Sequence, residues 1–287
     1  MALPDDFDLA EFVQRVLAED LGSGGDVTSN ATIAQDARFT AQMNARQQLV
    51  VAGVEVASAF FRALDRKVEI ELFFGDGDRV EHGATLMRLS GNARAMLAAE
   101  RSALNTLQHL SGIATLTRQY ADAISGTRTV LIDTRKTLPG LRVLEKFAAR
   151  MGGAQNHRMR LDDGVLIKDN HVAVCGGVAE SVRRAKAANT GLQVQVEVDR
   201  IDQIEPALAA GADRLLLDNM DPAQLREAVR VASGRVPLEA SGGVTLETIA
   251  FLAETGVDFI SLGRITQSAP AVDIGLDYSL VQATAEA

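Results

Sequence analysis

From residue 7 to 21 apolar side chains recur at helical spacing, which predicts an amphipathic helix. GSGGDVTSN, at 22–30, reads as an exposed loop. ARFTAQMNAR (37–46) alternates like a strand, and VAGVEVASAFFRAL (51–64) has a helical pattern. KVEIELFF (67–74) and ATLMRLSG (84–91) read as strands around the turn-rich GDGDRVEHG (75–83). A long Ala- and Leu-rich helix is expected over 95–124, with a kink or break at Gly112.

The pattern then changes. Continuous apolar runs at 129–134, 165–170, 192–198, 214–219, 237–243 and 258–263 alternate with amphipathic helices. Those helices are expected over 141–151, 179–189, 202–211, 221–232 and 246–256. Such runs are strands buried on both faces, the mark of a parallel α/β fold. The last four runs start 22, 23 and 21 residues apart, which fits a barrel better than a doubly wound sheet. Six strands are clear, and GAQNHRMR at 153–160 offers a seventh. That is fewer than the eight of a standard barrel.

Composition narrows the function classes. The chain has 287 residues, 47% of them hydrophobic and 23% charged, with a formal net charge of −9. This argues against nucleic-acid binding, which calls for a basic surface. With 4% aromatic residues the core is expected to be aliphatic. The one cysteine, Cys175, rules out an intrachain disulfide, suits a reducing cytoplasmic setting, and is expected as a small buried residue. The acidic N-terminal segment does not read as a signal peptide, and no run is long enough to cross a bilayer.

Net charge says nothing about placement. Segment 133–171 holds eight Lys and Arg against five Asp and Glu, a local excess of +3. Arg142, Lys146 and Arg150 are expected on a helix surface, while Arg135, Lys136, Arg158 and Lys168 fall at strand ends near His157. Such a cluster suits phosphate or carboxylate groups, Arg by two-pronged hydrogen bonds and Lys as a mobile charge. Ser241-Gly242-Gly243 before a helix, with Gly263 after the next strand, makes a phosphate-cradle pattern. Glu197 and Asp218 end two strands, where they could hold sugar hydroxyls, a magnesium ion or neighbouring cations. His171 reads as a partner to its strand end, His82 as an exposed turn residue and His109 as packed. No nucleophile signature occurs.

DTRKTLPGLRVLEKFAARMGGAQNHR, then VLIKDNHV, resembles the quinolinate phosphoribosyltransferase family. AAERSALNTLQHLSGIAT, VQVEV, LLLDNM, EASGGV and DIGLDY follow the same family in order, so the likeness covers nearly the whole chain. The resemblance implies an N-terminal α/β sandwich over 1–112 and an incomplete, six- to seven-stranded parallel α/β barrel over 113–271, with 272–287 packing back on the first. It implies transfer of phosphoribosyl from phosphoribosyl pyrophosphate to quinolinate with decarboxylation, giving nicotinate mononucleotide for NAD synthesis. It also implies a magnesium cofactor and a homodimer in which Arg101 reaches the partner's site. By the same likeness Arg135, His157 and Arg158 bind the quinolinate carboxylates, and Lys136 and Lys168 lie near pyrophosphate and substrate. Glu197 and Asp218 hold ribose hydroxyls and magnesium-bound pyrophosphate, and Ser241, Gly242, Gly243 and Gly263 hold the 5-phosphate. Arg264 departs from the small residue often found there. Three rivals remain: a related phosphoribosyltransferase-like protein of molybdate transport operons; another barrel enzyme acting on a phosphorylated sugar, such as an isomerase or an aldolase using Lys168; and a non-enzymatic carrier or scaffold module, against which the six polar strand ends speak.

Overall fold

The computed structural model describes residues 3–4 and 7–279. They fall into two units, the first formed by the chain through Leu116, Val143–Gly152 and the chain from Ala269 on. The second holds Thr117–Arg142 and Gly153–Ser268.

The N-terminal stretch runs α1 (Leu9–Leu21), α2 (Val27–Thr32), β1 (Arg38–Ala45), β2 (Leu49–Val50), α3 (Val54–Leu64), β3 (Glu69–Leu72), β4 (Arg79–Val80), β5 (Thr85–Asn92) and α4 (Ala93–Ala123). Asp8 and Asp26 cap α1 and α2, each accepting a backbone N–H one turn on. The Asp26 cap turns part of the expected 22–30 loop into helix. The expected break at Gly112 is absent, since α4 runs unbroken for 31 residues. Glycine serves contact there: a Cβ would lie 2.1 Å from the Pro270 carbonyl oxygen.

The rest of the chain gives β6 (Val130–Ile132), α5 (Arg142–Gly152), β7 (Val165–Ile167), α6 (Asp169–Cys175), α7 (Val178–Ala187), β8 (Val194–Val198), α8 (Ile204–Ala209), β9 (Arg214–Asp218), α9 (Pro222–Ala232), β10 (Leu238–Ser241), α10 (Ile249–Ala253), β11 (Phe259–Ser261), α11 (Arg264–Gln267) and β12 (Ile274–Ser279). β12 returns to the first unit and pairs antiparallel with β1, completing a sheet ordered β12-β1-β5-β3. Residues 280–287 of the expected C-terminal return lie outside the described residues.

The first unit's core is mostly aliphatic, with Phe60 and Phe61 among its largest fully buried side chains. Phe12 meets Phe60 edge-on at 6.1 Å, joining α1 to α3. Lys146, expected at a helix surface, is fully buried, because α5 buries nearly all of its length. Cys175 is not buried as expected: α6 buries none of its residues.

In the second unit six parallel strands are ordered β6-β11-β10-β9-β8-β7. The seventh candidate is not a strand. Segment 153–160 makes a single bridge, Gln155 to Ile132 of β6, and Arg158 Nη1 donates to the Gly164 carbonyl beside β7 at 2.7 Å. An irregular segment thus spans the two edge strands.

Candidate active site

All six strands are parallel, so their C-terminal ends share one face. A pocket of about 900 Å³ opens there. It is lined by Arg135, Lys136, His157, Arg158, Lys168, Glu197, Asp218, Ser241, Gly242, Gly243 and Gly263, all expected from sequence. Arg264, the first residue of α11, also lines it. Arg101 is not among the lining residues; it sits exposed on α4, in the first unit.

One pole is cationic. Asp133, fully buried after β6, accepts the His157 backbone N–H at 2.8 Å and the Asn156 side-chain amide at 2.5 Å. This ties the His157–Arg158 turn to the β6 end. Burial, and then the charge of Arg135, push the Arg158 guanidinium below its ordinary range. The Arg135 Nε is buried without a hydrogen-bond partner. Two guanidiniums lining one pocket, one with an unmatched donor, have the chemistry to pair with planar anions.

The other pole is acidic. Burial raises the Glu197 carboxyl, and the Asp218 charge raises it further. Burial likewise raises Asp218, while the Asn219 amide, donating at 2.7 Å, lowers it. Lys168 stands between the poles with Nζ 3.9 Å from Glu197 Oε2. Its backbone N–H donates to His171 Nδ1 at 3.0 Å, fixing the start of α6. That agrees with the structural reading of His171.

The third part is the turn after β10. Gly242 has φ +93°, and a Cβ there would fall 2.1 Å from the Asn219 side-chain oxygen. Only glycine lets the chain pass this close to Asn219.

A sequence profile described as "Quinolinate phosphoribosyl transferase, C-terminal domain" matches residues 113–277, and its N-terminal counterpart matches 26–111. The chain belongs to the quinolinate phosphoribosyltransferase family. A relative from Mycobacterium leprae, "Nicotinate-nucleotide pyrophosphorylase [carboxylating]", is 43% identical over 281 residues, covering 95% of this chain and 98% of its own. One from Bacillus subtilis, named a probable enzyme of that activity, is 39% identical, covering 97% and 96%. The solved nicotinate-nucleotide pyrophosphorylase of Ehrlichia chaffeensis superposes with a TM-score of 0.92 at 39% identity, covering 96% of this chain and all of that one. That of Francisella tularensis gives 0.90 at 39% identity, covering 97% and 98%. The family's two-part fold agrees with the sheets described above, and the molybdate-operon reading gains no support from these relatives.

Three residues of the barrel interior, Gln195, Arg214 and Glu239, went unremarked in the sequence. Gln195 and Glu239 are buried, and Arg214 is half-buried. A signal was present: they precede Glu197, Asp218 and Ser241 by two, four and two positions on the same strands. Even spacing on a strand means the same face.

Proposed function

We propose that this chain joins quinolinate to phosphoribosyl pyrophosphate, releasing pyrophosphate and carbon dioxide and giving nicotinate mononucleotide, in NAD biosynthesis. The observation that carries this reading is the two-pole pocket: paired guanidiniums for a dicarboxylate, facing an acidic pole beside a glycine cradle.

Arg135 and Arg158 hold the two carboxylates of the pyridine, with His157 at the turn beside them. The Ser241–Gly243 turn and Gly263 hold the ribose 5-phosphate. Glu197 and Asp218 accept from the ribose hydroxyls. Lys136 and Lys168 neutralise the leaving pyrophosphate. The glycosidic bond to pyrophosphate breaks with its electron pair going to oxygen, and the pyridine nitrogen's lone pair bonds the anomeric carbon. The ring nitrogen is then cationic. Its positive charge stabilises the electron pair that stays on the adjacent ring carbon when the carboxylate departs as carbon dioxide, and that carbon then takes a proton from water. Positioning and fixed charge supply most of the barrier reduction, so no side-chain general base is needed.

Two raised carboxylates suit a hard divalent cation, and no group of three or more His, Cys, Asp or Glu among the described residues could hold one alone. Glu197 and Asp218 would therefore hold magnesium together with substrate oxygens. Bound there, it would add positive charge beside the leaving phosphates.

The reading extends to a cytoplasmic homodimer in which exposed Arg101 enters the partner's pocket. No helix among the described residues is long and apolar enough to cross a membrane. Mixed dimers of Arg101→Ala and Lys168→Ala subunits should regain partial activity. Verified mixed dimers without any rescue would remove the shared site.

The reaction itself is tested with purified protein, quinolinate, phosphoribosyl pyrophosphate and magnesium. Nicotinate mononucleotide should form from quinolinate and not from nicotinate. Use of nicotinate with quinolinate ignored would overturn the substrate.

A further inference from the structure

The interior of this barrel carries a chain of polar groups that the reaction as described does not use. Interior positions of such barrels are ordinarily filled by branched apolar side chains. Here Glu239 is 1% exposed, and Gln195 Nε2 donates to its Oε2 at 2.7 Å. Arg214 Nη2 lies 2.8 Å from the same oxygen, an ion pair by distance, and its guanidinium stacks 3.9 Å over the Phe259 ring. Burial alone would raise Glu239, but His157, with Nε2 3.6 Å from Glu239 Oε2, and the Arg214 charge hold it below its ordinary value. It therefore stays an anion and an acceptor.

That fixes the Gln195 amide. With its nitrogen turned to Glu239, its oxygen faces His157 Nε2 at 3.1 Å. The other ring nitrogen, Nδ1, lies 2.7 Å from the Arg158 backbone N–H, which donates to it. An acceptor carries no proton, so the ring proton sits on Nε2 and points to Gln195. A flipped amide would set a donor against Nε2 and push the proton to Nδ1, against the Arg158 N–H. The orientation set at Glu239 is thus passed to the backbone of Arg158.

We propose that Glu239 and Gln195 are positioning residues for the quinolinate end of the site, acting through the His157 tautomer on the His157–Arg158 turn. Gln195 does not line the pocket, and Glu239, which does, is 1% exposed. The inference rests on the proposed quinolinate reading for its kinetic effect, but the tautomer is a property of the free protein.

The test has two arms. In the free wild-type protein, ¹⁵N NMR of His157, assigned with His157→Asn, should show the neutral Nε2–H form. An Nδ1–H ring or an imidazolium at neutral pH would overturn the relay, whatever the enzyme acts on. In the kinetic arm, Gln195→Met keeps size and removes both hydrogen bonds. It should raise KM for quinolinate about tenfold, the scale of one hydrogen bond at a charged site, and move KM for phosphoribosyl pyrophosphate less than about twofold. Glu239→Gln should shift quinolinate KM the same way but less, since an acceptor oxygen remains, and it serves if Gln195→Met does not fold. A folded variant with quinolinate KM unchanged, or with both KM values raised alike, would also overturn the relay. If the wild type ignores quinolinate, the functional reading falls and the NMR arm alone decides the inference.

Discussion

The two units bury different things. The first buries Phe60, Phe61, Met43, Leu86, Met87 and Leu89, apolar side chains that gain by leaving water, and with them Ser58, Ser111, Glu145 and Lys146 away from the strand-end pocket. The barrel buries Asp133, Gln195, Glu239 and Ser261 on the strands that carry the pocket or directly after them. Burying polar groups costs free energy unless each is matched, and a buried ion pair is weak evidence for stability. The contrast separates two uses of the interior. One holds the chain folded, and the other holds the cationic turn and the acidic strand ends in place.

Substitutions should respect that division. The largest expected effect is on stability: Phe60→Ala should cost about 3–5 kcal/mol in denaturant unfolding through cavity formation. Its folded fraction should turn over at a rate within about twofold of wild type, because no atom of the barrel mouth is touched. A large loss of turnover per folded molecule would break the comparison.

A smaller effect of opposite sign is expected at the acidic pole. Glu197 is raised above its ordinary value of 4.5, first by burial and then by Asp218. A carboxyl with a raised folded value binds its proton more tightly in the folded state. Its contribution therefore favours folding most at low pH and is lost as pH climbs from the unfolded value through the folded one. Glu197→Gln should melt slightly above wild type, with a gap that widens from about pH 4 to pH 7, while activity drops. A gap that is constant or reversed in thermal melts would show that the carboxylate stabilises the fold.

Much of this was legible in the sequence, for physical reasons. Continuous apolar strands ending in polar residues place Arg135, Lys168, Glu197, Asp218 and Ser241 on one face by parallel topology alone. The interior polar residues were harder to see, because strand alternation shows which residues share a face but not what they meet across a barrel. The polar face of Gln195 and Glu197 could be read, but its meeting with Glu239 and His157 could not. Helix patterns misled where tertiary contact overrides them. Gly112 reads as a breaker but makes room for the Pro270 carbonyl. Lys146 reads as surface but lies on a helix buried along almost its whole length.

The overall charge of −9 conceals the feature that matters most, the cationic turn at Arg135 and Arg158. If that turn reads a dicarboxylate, calorimetric titration of the protein with quinolinate and with nicotinate is the most direct measurement. Loss of one charge-assisted two-pronged contact predicts nicotinate binding at least about tenfold weaker than quinolinate. Equal affinities, or tighter binding of nicotinate, would contradict the account.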